Sequence, residues 1–127
     1  MIDVDPDTVC FIISKAREFH AKEAVVIPEP PDSLEDDSPV QVLADHLNDF
    51  TFAELKAAIA DLEPDQQICL VALMWVGRGD FSVEEWSEAL EQAGDEHNER
   101  TAEYLIATPL VADYLQEGLY AHGYECE

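Results

Sequence analysis

The nine residues Ile68-Cys69-Leu70-Val71-Ala72-Leu73-Met74-Trp75-Val76 are apolar without interruption, and no other stretch constrains the fold as strongly. A helix apolar on every side has no face to offer water, so it must lie at the centre with other elements wrapped round it. Glu63-Pro64 opens this helix, because proline suits a first turn whose N–H groups have no helical partner. Gly77-Arg78-Gly79-Asp80 follows, and Gly77 is predicted to end the helix in the left-handed conformation. The predicted centre is therefore a helix over about residues 64–76.

The surrounding segments carry helical start signals and one apolar stripe each. Asp5-Pro6 opens a first helix with Val9, Ile12, Ile13, Ala16 and His20 on one face. Val40, Leu43, Ala44 and Leu47 mark a short helix after Ser38-Pro39. Thr51 with Glu54 spells a capping box, with Phe50 and Leu55 as its hydrophobic staple, ahead of Phe52, Leu55, Ile59 and Leu62. Ser82 with Glu85, and Phe81 with Trp86, repeat that pattern; Val83, Trp86, Leu90 and Ala93 are predicted inward, with Gly94 as the stop.

Ala102, Leu105 and Ile106 mark a further helix, and Thr108-Pro109 opens the last, with Val111, Tyr114, Leu115 and Leu119 inward. Gly118 costs that helix ~1 kcal/mol against alanine, so it is predicted to allow a neighbouring helix to approach closely. No strand-like alternation occurs. The predicted fold is all-α: a compact orthogonal bundle of about six or seven short helices around the central apolar one. Residues 1–26 form its N-terminal helix, 27–39 an acidic, proline-rich linker, and 40–127 the helical body of a single domain. The linker is long enough for the first helix to dock on a second copy, which leaves a homodimer open.

Composition narrows the partners. Twenty-nine carboxylates face six Lys and Arg, a net charge of -23, and 15 of the carboxylates precede residue 64, so the charge belongs to the whole molecule. Binding nucleic acid or an anionic membrane needs cations to replace counterions, so neither is expected; the field favours solubility, as a salt-accumulating host would require, and would attract basic partners or cations. Cys10, Cys69 and Cys126 are odd in number and far apart, which argues against a disulfide framework or zinc knuckle and for a reducing compartment. The acidic N-terminus does not resemble a signal peptide, and no apolar run reaches the ~20 residues of a membrane span. A soluble, cytoplasmic protein is expected.

Gly79-Asp80-Phe81-Ser82-Val83-Glu84-Glu85 looks like the second half of a calcium loop. The first half would have to supply oxygens from the side chains of Met74, Val76 and Arg78, which offer two apolar groups and a positive charge. No pair of helical metal ligands, nucleophile elbow or phosphate-cradling loop is present in the sequence, so no cofactor is expected. Arg78 is notable where bases are so scarce. With Asp80, Glu85 and Trp86 it makes the motif singled out as a possible functional or structural site.

Leu70-Val71-Ala72-Leu73, Trp75, Gly77-Arg78-Gly79-Asp80-Phe81 and Glu85-Trp86 form a distinctive series. It continues in Thr101-Ala102, Tyr104-Leu105, Pro109-Leu110, Asp113-Tyr114-Leu115 and Glu117-Gly118-Leu119. From about Phe52 to Gly123 the chain resembles the bacterial Domain of Unknown Function 3775 family. The resemblance implies a small intracellular bacterial protein and brings no activity, cofactor or catalytic residue.

The reading that follows is a non-enzymatic helical module that binds another protein. One alternative is an acidic mimic of nucleic acid that occupies a basic protein. Another is a small enzyme with its site around Arg78 and Asp80, joined by His97 or His122.

Overall fold

A computed structural model describes residues 2, 4–21, 50–108 and 110–126. The linker and the helix predicted after Pro39 lie outside them. Six α-helices are described: α1 (Pro6–His20), α2 (Phe50–Ala60), α3 (Pro64–Arg78), α4 (Trp86–Glu96), α5 (Thr101–Ile106) and α6 (Val111–Ala121), with a single 3-10 turn, Val83–Glu85, before α4. No strand is present among the described residues.

The uninterrupted apolar run sits where its chemistry requires. Cys69 to Val76 are all buried in α3, which packs most extensively on α6 and next on α4. Helix α1 packs on α6 and α2, burying Val9, Ile12, Ile13, Ala16 and Phe19. Each fully buried Leu or Ile contributes about 1.5–3 kcal/mol relative to exposure, so this one continuous core holds the helices together.

Local signals act as expected at two starts. The Asp5 side chain accepts a hydrogen bond from the Asp7 N–H, 2.9 Å away, ahead of Pro6. Glu63 caps α3, and its N–H donates to the Gln66 side chain at 3.0 Å.

Elsewhere the structure corrects the sequence. Helix α3 runs through Gly77, and it is Gly79, at φ 95°, that caps it in the left-handed conformation. Gly77 instead faces α6: a Cβ there would meet the Tyr114 carbonyl oxygen at 1.7 Å. Gly94 does not stop α4, which continues to Glu96. Helix α2 already includes Phe50 and Thr51, and Phe50 is 77% exposed, so no staple to buried Leu55 forms. Ser82 and Glu85 do form their capping box, but on the 3-10 turn, and this leaves Val83 exposed rather than inward.

The cysteine expectation is overturned outright. Cys10 and Cys126, 116 residues apart in sequence, are joined by a disulfide that ties α1 to the C-terminal segment, while Cys69 is buried and outside that bond. Spacing along the chain says nothing about pairs the fold brings together, so the argument for a reducing compartment loses its footing.

Candidate functional site

Where α3 ends against α4 and α5, a cleft of about 280 Å³ opens, lined by Trp75, Arg78, Asp80, Phe81, Gln92, Glu96 and Tyr104. Its floor is aromatic. The Trp75 indole N–H donates to the Tyr104 hydroxyl at 3.0 Å, a buried bond that fixes both rings. The Phe81 ring lies over Trp75 with centroids 5.9 Å apart and planes 28° apart. Phe81 reaches this position because the left-handed Gly79 turns the chain back across the end of α3.

The rim is charged. The Arg78 Nε donates to Asp80 Oδ2 at 2.7 Å, and a second guanidinium nitrogen reaches the same oxygen. Burial alone would lower the Arg78 pKa, but its bonds and charge interactions with Asp80 and Tyr104 outweigh that and raise it above the ordinary value. From α4, the Gln92 amide donates to Glu96 Oε2 at 3.0 Å, an i to i+4 pair along that helix. Each carboxylate thus has one oxygen held by a neighbour and none of the described hydrogen bonds on the other. The pair Arg78–Asp80 cancels, so Glu96 leaves the cleft with a net negative charge.

Of the four residues singled out in the sequence, the structure brings only Arg78 and Asp80 together in the cleft. The Glu85 carboxylate accepts the Ser82 N–H at 2.9 Å, and the Trp86 ring meets the edge of His122 at 4.4 Å between centroids. Neither lines the cleft. Nor do the two histidines considered for catalysis: His122 lies against Trp86, and His97 is bonded to the Gln67 side chain at 2.7 Å. Arg78, Asp80 and a histidine therefore do not converge. Among the described residues no group of three or more His, Cys, Asp or Glu could hold a metal ion. No described helix is long and apolar enough to cross a membrane.

The cleft residues that sequence reasoning missed are Trp75, Phe81, Gln92, Glu96 and Tyr104. The apolar run places Trp75 wholly in the core, although it sits three positions before Arg78 on the same helical face. Gln92 and Glu96 share a face for the same reason. Tyr104 comes from a separate helix, and no local pattern announces it.

A family model described as a protein of unknown function (DUF3775) matches residues 52–124. No curated protein and no solved structure matches the chain.

Proposed function

The chain belongs to the DUF3775 family of proteins of unknown function, and we propose that it is a non-enzymatic interaction module whose partner is a basic protein. The observation that carries this reading is how its few cations are spent. Of the six Lys and Arg, Lys15, Arg17, Lys56 and Arg78 each pair with a carboxylate of the same chain. With 29 acidic residues in the sequence, a large surplus of carboxylates is left without a basic partner from this chain. Such a surface repels anionic polymers and draws cationic ones, raising encounter rates in a salt-dependent way. A nucleic-acid-binding protein is one partner with that chemistry.

The test is affinity capture from native lysate at low and at moderate salt, followed by reconstitution with the purified partner. A basic protein held at low salt and released at moderate salt is the expected result. Recovery of neutral or acidic partners alone, or of none in either condition, would overturn the reading.

A further inference from the structure

We propose that the cleft at the end of α3 seats one arginine side chain of the basic partner, its guanidinium held between the Asp80 and Glu96 carboxylates and against the aromatic floor. This rests on the reading of the chain as a module for basic proteins and gives that reading a site.

The cleft's dimensions come first. A volume of about 280 Å³ accommodates one long side chain and not a folded element. Its chemistry then selects the occupant. Of the floor residues Trp75 and Tyr104 are buried, so the ring open to a cation is that of Phe81, which lies over Trp75, and aromatic ring faces attract cations. The two cleft carboxylates each have one oxygen held by Arg78 or Gln92 and a second that carries none of the described hydrogen bonds. A guanidinium carries five donors in a flat fork, so it can bond two carboxylates while lying on a ring; the ammonium of lysine does so less well.

An anion is the wrong occupant, although Arg78 is present. Arg78 is already bonded twice to Asp80, Glu96 lines the same cleft, and the molecule's net charge is -23. The same facts give Arg78 a role. It holds Asp80 in position, and it weakens the cleft's hold on a cation by neutralising one of the two carboxylates.

The chain labelled with ¹⁵N at tryptophan offers a direct readout, since Trp75 and Trp86 are its two indoles and only Trp75 lines the cleft. Titration with glycyl-arginyl-glycine amide should move the Trp75 indole signal saturably and leave that of Trp86 in place. The peptide with citrulline for arginine, equal in shape but uncharged, should move neither. Glu96→Gln, which keeps an oxygen for Gln92 to bond, should weaken the arginine peptide about fivefold, the upper range for a solvent-screened ion pair. Arg78→Gln should tighten it by a similar factor, a gain that a damaged fold cannot imitate.

Equal response to citrulline, movement of both indoles or neither, or unchanged affinity in Glu96→Gln would each overturn the proposal. A basic protein that binds the unaltered chain and Glu96→Gln equally well would remove the cleft and leave the module reading standing. Absence of any basic partner would remove both.

Discussion

Gly77 and Tyr114 lie so close that a Cβ on the glycine would stand 1.7 Å from the tyrosine's carbonyl oxygen. The contact has a counterpart on the facing helix, where a Cβ on Gly118 would stand 2.3 Å from the Leu73 carbonyl oxygen. Each of the two most extensively packed helices thus carries a glycine where the other's backbone passes. In both cases the obstacle is backbone, which cannot rotate away as a side-chain tip can.

The glycines therefore divide into opposing classes. Gly77→Ala and Gly118→Ala each gain ~1 kcal/mol of helix propensity but force apart the central pair of helices. Overpacking costs about 1–3 kcal/mol and occasionally more, and an immovable carbonyl places these two at the upper end. We expect each to lower stability by about 2–3 kcal/mol in urea unfolding. Gly94→Ala should do the opposite, stabilising by up to about 1 kcal/mol, because its Cβ would meet only Ile68 Cδ1 at an ordinary 3.8 Å. A destabilised Gly94→Ala, or a neutral Gly77→Ala, would contradict this account of the α3–α6 contact.

The sequence announced the tight approach at Gly118 because a glycine in mid-helix needs a reason. Gly77 gave no such notice: it stands in Gly-Arg-Gly, where either glycine satisfies a helix stop. Only the position of α6 decides that the second does the capping and the first the packing. Legibility follows the range of the interaction. The burial of Cys69 to Val76, the Asp5 cap and the start at Pro64 are local or compositional, and they were readable. The cleft gathers Trp75, Glu96 and Tyr104 from three helices, and the disulfide joins residues near opposite ends, so neither leaves a local trace. Arg78 and Asp80 were visible as a pair because a single residue separates them and bases are scarce in this chain.

The disulfide should make a large contribution to stability. Cys10 and Cys126 close a loop of 116 residues, and in the chain-entropy account a loop near this length is worth about 4–5 kcal/mol. Reduction, or Cys10→Ser, should lower unfolding stability by up to that amount. Cys126→Ser should match it, and the double variant should cost no more than either alone. Cys69 is not part of the pair and is buried, so native alkylation should label no cysteine before reduction. Labelling of Cys10 in the untreated protein, or additive losses in the double variant, would refute the prediction.

His20 makes stability depend on pH near neutrality. Burial lowers its pKa from the ordinary 6.5, and a hydrogen bond with the Ile106 backbone opposes this only in part. The unfolded chain therefore takes up the proton more readily than the folded one. The contribution to stability is complete above pH 6.5 and is lost as pH falls from there through the folded value. His20→Gln cannot titrate, so the unaltered protein should lose stability relative to this variant between about pH 7.5 and pH 5.5. Parallel stability curves for the two proteins across that range would show that His20 is not the group responsible.

Salt should act on folding and on binding in opposite directions. A net charge of -23 on a chain of 127 residues means that folding brings like charges together. At about 0.01 M salt the screening length is about 30 Å, beyond the roughly 13 Å radius of gyration of a domain near this size, so every carboxylate repels every other. At about 0.1 M it falls to about 10 Å, and repulsion is confined to neighbours. The urea midpoint should therefore rise with added sodium chloride over this range, urea being chosen because guanidinium is itself a salt. The arginine peptide, drawn by the same field, should bind more weakly over the same range. A midpoint that is flat or falls with salt would mean that the surplus carboxylates are too far apart to strain the fold. A peptide affinity indifferent to salt would mean that charge is not what brings the ligand to the cleft.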